Sequence, residues 1–326
     1  MSTNSSQPQP TAVPDPHLRS DLDLLAVAVE TGDASAWSRR LADLAGAATW
    51  QHRHLLVEHS LAHPAFVDGW LEASFQAAAT HSPRADDDDE AEVPDDSVEI
   101  DPTALPHGCL TSAGTLRVRQ VTAADEAQRH EQLDIASPLV QGALHAERQD
   151  PTAWGTLFDQ ARGLKADEAT FRELLSAAAQ SCPAGWAWQV SALETLSPWW
   201  YGTAASSYGL AEQLASMAPA TRSELLPLVA ATRAHEKDAT EATEQMLAEA
   251  LPRAQAYLVS IAGDEVELVN AANEVAARLH AAGRTEDAAR ALAPAGAAVD
   301  TLAWSGRGGA TAHAEVLARA VELGLL

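Results

Sequence analysis

The sequence is that of an all-α protein, and three observations lead to this expectation. Alanine dominates an apolar fraction of 46%, while aromatic residues make up only 5%; such a mixture favours closely approaching helices over strands, where β-branched and aromatic side chains would be enriched. Apolar residues recur at helical spacing through most of the chain. Helix start and stop residues, with Asp or Thr ahead and Gly or Pro at the ends, stand between these stretches.

Residues 1–20 are polar and rich in Pro, Ser and Gln. They cannot bury enough apolar surface to offset the entropy of ordering, so a disordered tail is expected. Residues 21–82 read as an N-terminal helical segment. Its first two helices, Leu22–Thr31 and Ala34–Gly46, are separated by Gly32, and Trp37, Leu41 and Leu44 fall on one face of the second. The stretch "TWQHRHLLVEHSLAHPAF" gives a helix from Trp50 to Ala62 ended by Pro64, followed by another over Phe66–Thr80 that carries Trp70 and Phe75.

Residues 83–121 break the order. The run "PRADDDDEAEVPDDSVEIDP" sets ten acids around the single base Arg84, and like charges at that density repel into an extended chain, read as a solvated spacer or, less favourably, as a contact for a basic partner. Pro102–Val121, with "LTSAGTLRVRQV", reads as a short hairpin or an irregular loop.

Residues 122–326 form a second helical domain. Asp150 is placed as an N-cap with Pro151 at the first helical position, where a missing N–H costs nothing. Trp154, Leu157, Phe158 and Ala161 make one apolar stripe, and Phe171, Leu174, Leu175 and Ala178 repeat it. Thr221 with Glu224 reads as a capping box. Helices over Thr240–Ile261, Glu265–Ala282, Thr285–Val299 and Thr311–Leu323 complete the chain.

Trp154 and Trp188 stand 34 residues apart, as do Leu174 and Tyr208, and 34 is the period of the tetratricopeptide helix–turn–helix unit. In "ANEVAARLHAAGRTEDAARALAPAG", Ala276 and Leu279 lie on a first helix, Gly283 and Arg284 in a turn, and Ala288, Leu292 and Ala295 on a second. This stretch resembles a tetratricopeptide repeat. With "DPTAWGTLFDQARGL" and "PWWYGTAASSYGLAEQLA" it is also similar to a group of actinobacterial proteins built on degenerate tetratricopeptide-like helix pairs, a likeness covering about residues 123 to 305. The resemblance implies antiparallel helix pairs stacked as an α-solenoid. It implies no activity, because that group has no assigned chemistry.

The net charge of −25 argues against nucleic acid and anionic membranes as partners, since no basic patch offsets it. Two cysteines, Cys109 and Cys182, and an N-terminus without a secretory pattern suit a cytoplasmic protein. No catalytic motif emerges, and no cofactor is expected. The function this supports is non-enzymatic: an interaction or scaffold protein that binds a peptide or partner helix on a concave face.

Three candidate sites stand out. "PWWYG" sets Trp199, Trp200 and Tyr201 at a turn between helices, either as a plug or as partner-binding residues. His52, His59 and His63 share helical spacing and offer the alternative of a metal-assisted enzyme, although neither H-E-x-x-H nor its inverted form is present. Cys109, beside His107, is a weaker nucleophile candidate. The glycines around Arg307 in "SGRGGATAHAEVL" read as a connector, or less favourably as an anion nest.

Overall fold

The computed structural model describes residues 16–46, 49–79, 105–121 and 126–326. The acidic run 84–101 and the first fifteen residues of the expected tail lie outside them. Among the described residues there are sixteen α-helices and no strand, so the all-α expectation holds. No described helix is long and apolar enough to cross a membrane. Backbone contacts divide the chain into two compact units, Ser20–Cys182 and Pro183–Leu326. This boundary falls well beyond the expected start of a second domain at residue 122, because α2, α3 and α4, before the acidic run, pack against α5, after it.

The N-terminal unit contains α1 (Pro16–Thr31), α2 (Ser35–Asp43), α3 (Trp50–Ser60), α4 (Pro64–Ala79), α5 (His107–Gln120), α6 (Glu126–Ala146), α7 (Pro151–Gly163) and α8 (Glu168–Ser181). Helix α1 begins six residues earlier than the sequence suggested, at Pro16, whose fixed φ suits a first helical position. Gly32 ends α1 at φ +71, a conformation that costs other residues more. Trp37 and Leu41 of α2, and Leu44 just after it, are buried as expected.

The hairpin or loop expected over Pro102–Val121 is corrected: most of it is the fourteen-residue helix α5. This helix packs against α2, α3, α4, α6 and α7, and every residue from Gly108 to Leu116 is buried. Small residues make this possible. A Cβ on Gly108 would stand 1.9 Å from the Leu41 carbonyl oxygen, and one on Gly114 would stand 3.3 Å from Val140. The buried hydroxyls satisfy themselves locally, Ser112 donating to Gly108 O at 2.6 Å and Thr115 to Thr111 O at 2.8 Å.

The C-terminal unit contains α9 (Trp186–Thr195), α10 (Ala204–Met217), α11 (Leu226–Lys237), α12 (Glu241–Ser260), α13 (Glu265–Ala281), α14 (Thr285–Leu292), α15 (Thr301–Trp304) and α16 (Gly309–Glu322). Consecutive helices from α9 to α14 pack as neighbours, α14 packs on α16, and α11 also packs on both α9 and α13, as α13 does on α15. Leu247, Val275, Ala276, Leu292, Trp304 and Val316 belong to one core. Thr203 and Thr240 cap α10 and α12 through reciprocal bonds with Ser206 and Thr243. The capping box expected at Thr221 takes another form. Thr221 caps a 3-10 turn, Arg222–Leu225, while Glu224 reaches back to Ala220 N–H at 3.1 Å.

Candidate functional site

The aromatic turn lies in the C-terminal unit, where α9 ends and α10 begins. Its backbone is bonded at both ends. Trp200 N–H donates to Ser197 O at 3.0 Å, Tyr201 N–H to Thr195 O at 3.2 Å and Gly202 N–H to Ser197 O at 3.3 Å. Ser197 is buried and its hydroxyl accepts from Trp199 N–H at 3.3 Å. On the far side Thr203 begins the capping box of α10. Gly202 is required between them, because a Cβ there would meet the Leu196 carbonyl oxygen at 1.8 Å.

This rigid turn presents its aromatics outward. Trp199, Trp200 and Tyr201 are 49%, 48% and 50% exposed, whereas Trp188 and Trp304 of the same unit are buried. None of the three closes the core as a plug would. Three adjacent, half-exposed aromatic side chains are a larger apolar surface than single exposed residues provide, and such patches mark interaction sites. The Lys237 ammonium at the end of α11 stands 4.2 Å from the Trp199 ring centroid, a cation–π contact that fixes one indole. Trp200 and Tyr201 are tilted against each other with centroids 6.5 Å apart.

The three histidines of the metal alternative, all in the N-terminal unit, are not brought together as a site. His52 Nε2 stands 2.7 Å from Asp21 Oδ2, an oxygen that Arg40 also holds at 2.8 Å. His63 lines a groove of about 1020 Å³ beside Ser38, Trp70 and Cys109. His59 has its pKa lowered, chiefly by burial. Among the described residues no group of three His, Cys, Asp or Glu side chains could hold a metal ion.

Cys109 is corrected as well, since it lies in the first turn of α5 and not in a loop. Its thiol is buried and donates to Ser38 O at 3.1 Å. Burial pushes its pKa up to about 11, which Arg53 and a backbone hydrogen bond only partly oppose. A thiol held protonated in this way is a poor nucleophile.

His107 instead joins a charged node that no local motif announces. Asp150, fully buried, accepts from Thr152 N–H at 2.9 Å through Oδ1, which is the predicted N-cap of α7. Its other oxygen, Oδ2, pairs with the fully buried Arg53, lies 3.0 Å from His107 Nε2 and accepts from Thr111 at 3.1 Å. Burial alone would raise the Asp150 pKa, but the His107 hydrogen bond, the Arg53 charge and the Thr152 N–H outweigh it and hold the carboxyl below its usual value. Arg53 also donates to Leu44 O at 3.2 Å, so the node ties α3, α5 and α7 to the chain after α2.

No protein-family model, curated protein or solved structure matches the chain.

Proposed function

We propose that this is a non-enzymatic interaction protein built from stacked, tetratricopeptide-like helix pairs, and that its aromatic turn receives a peptide segment of a partner. The observation that carries the reading is the half-exposure of Trp199, Trp200 and Tyr201 on a turn whose backbone is fixed at both ends. A surface that is already ordered loses little conformational entropy on binding. The stacking is supported by the direct packing of α11 on α9 and on α13, and of α13 on α15. Charge selects the partner: at −25 the chain attracts basic segments, and the aromatic faces accept both apolar and cationic side chains.

The test is a selection of peptides from a random library on the intact chain, followed by nitrogen–proton spectra of the tryptophan indoles. Enriched peptides should be basic and aliphatic or aromatic, and should shift the Trp199 and Trp200 indole signals while leaving Trp188 and Trp304 in place. If no peptide is enriched, or if the enriched peptides move neither exposed indole, the turn is not the recognition surface.

A further inference from the structure

A groove of about 1020 Å³ opens into the N-terminal unit between α2 and α4, with the end of α1 and the start of α5 as its other walls. Small residues create it. Ser35, Ser38 and Ala42 recur at helical spacing on α2, as do Ala65, Gly69 and Ala73 on α4, so the two stripes that line the groove leave a gap which larger side chains would fill.

The inner wall is largely apolar to an occupant. Trp70 and Cys109 are buried there, and their polar atoms are engaged within the wall: Trp70 Nε1 donates to the Ser38 hydroxyl at 2.8 Å, the Cys109 thiol to Ser38 O at 3.1 Å and the Ser74 hydroxyl to Trp70 O at 2.8 Å. Phe66 adds a second ring. Such a wall calls for a ligand with an apolar body.

Charge defines the other end of the ligand. Among the described residues that line the groove none is Asp or Glu, although the chain contains 46 of these against 21 Lys and Arg. Its basic side chains are Arg39 and His63, the first exposed and the second half-buried, in contrast to the buried Trp70 and Cys109. Positive charge is thus offered at the open side. Arg39 forms no ion pair among the described residues. Asp33, in the turn ahead of α2, lies within electrostatic reach of Arg39, but its carboxylate accepts Ser35 N–H at 2.9 Å and does not line the groove.

We propose that this groove binds a monocarboxylate with an extended apolar body, a fatty acid in chemical class, its chain against Phe66 and Trp70 and its carboxylate at Arg39 and His63. The volume stands at the upper end of the range for small-molecule sites, roughly 300–1,000 Å³, and a guanidinium fork matches the paired oxygens of a carboxylate. The site belongs to the other unit from the aromatic turn and does not depend on peptide recognition there.

The proposal is tested by calorimetric titration of the intact chain near neutral pH with sodium decanoate and, separately, with 1-decanol and decylammonium chloride. Decanoate should bind saturably and shift the indole N–H signal of Trp70, while Trp188 and Trp304 stay in place. Decanol should bind roughly threefold more weakly, the equivalent of one partly exposed ion pair, and decylammonium more weakly still. Gly69→Leu adds a side chain where a Cβ meets no atom within 4 Å; because leucine is the better helix former, the variant should keep its melting temperature and lose binding roughly tenfold or more. Arg39→Gln should erase the preference for decanoate over decanol. The proposal is overturned if decanoate does not bind saturably, if the three chains bind alike, or if folded Gly69→Leu binds as well as the native protein. Absence of binding together with a dimer in sedimentation would make the groove an interface between copies, and a Trp70 signal that stays in place on binding would put the ligand elsewhere; either result also overturns it.

Discussion

Helices α14 and α5 are both packed against several neighbours, yet only the first can be read from its residues. Along α14, Ala288, Ala289, Ala291 and Leu292 are buried, while Glu286 and Arg290 are exposed and engaged in surface ion pairs. One wet face and one dry face produce the helical period that sequence reading detects. Helix α5 has no wet face through most of its length. Apart from Leu110, Leu116 and Val118, its buried positions are filled by Gly, Ser, Thr, Ala and Cys, which suit close approach by their size, so apolar and polar residues follow no period. Residue types that usually mark turns are used here for close approach, and their hydroxyls bond to carbonyls one turn back. A helix enclosed on all sides therefore looks like a loop when read residue by residue.

The comparison also separates two kinds of stabilisation, one local and one assembled from distant residues. Asp150 belongs to both, and its loss should have the largest effect. Asp150→Ala removes the cap of α7 and leaves the Arg53 charge buried and unpaired, which costs about 3–5 kcal/mol when one member of such a pair is lost; urea unfolding would measure it. The node should also impose a pH dependence. The folded-state pKa of Asp150 lies below the unfolded value of 3.8, so its contribution is present above that value and is lost as pH falls through the lowered folded value. Asp150→Asn keeps the side-chain shape and should remove this part of the acid sensitivity. If both variants unfold at the native urea midpoint, the node is not a stabilising element.

Two glycine substitutions sharpen the comparison at a smaller scale. Gly108→Ala drives a Cβ into the backbone oxygen of Leu41, and overpacking of this kind costs about 1–3 kcal/mol. Gly283→Ala, in the turn between α13 and α14, meets no atom within 4 Å but must adopt φ +75, a local strain of roughly 1–2 kcal/mol for a residue with a side chain. Calorimetric melts of the two variants should therefore rank Gly108→Ala as the more destabilising. The reverse order would mean that α5 tolerates outward movement and is less tightly enclosed than its contacts indicate.

The same distinction explains which parts of the candidate sites were legible. Helix existence, the Asp150 cap and the α13–α14 hairpin rest on residues within a few positions of one another. Trp199, Trp200 and Tyr201 were visible as a cluster, but adjacency alone could not tell a plug from a surface. That depended on Ser197, Thr195 and Gly202 bonding and packing the turn so that the rings point outward. The Arg53–Asp150 pair joins residues 97 positions apart, and nothing in their spacing announces it.

The smallest structural effect is expected at the turn, and it bears most directly on the central claim. In the Trp200→Ala variant, affinity for a selected peptide should be measured at a temperature where both proteins are fully folded. Removing a central aromatic anchor should weaken binding by about 2 kcal/mol, roughly thirtyfold, while the melting temperature stays within a few degrees of the native chain because Trp200 is 48% exposed and supports no core. Unchanged affinity, or a weakening accompanied by a collapse in melting temperature like that expected for Trp304→Ala, would contradict recognition by an outward-facing turn.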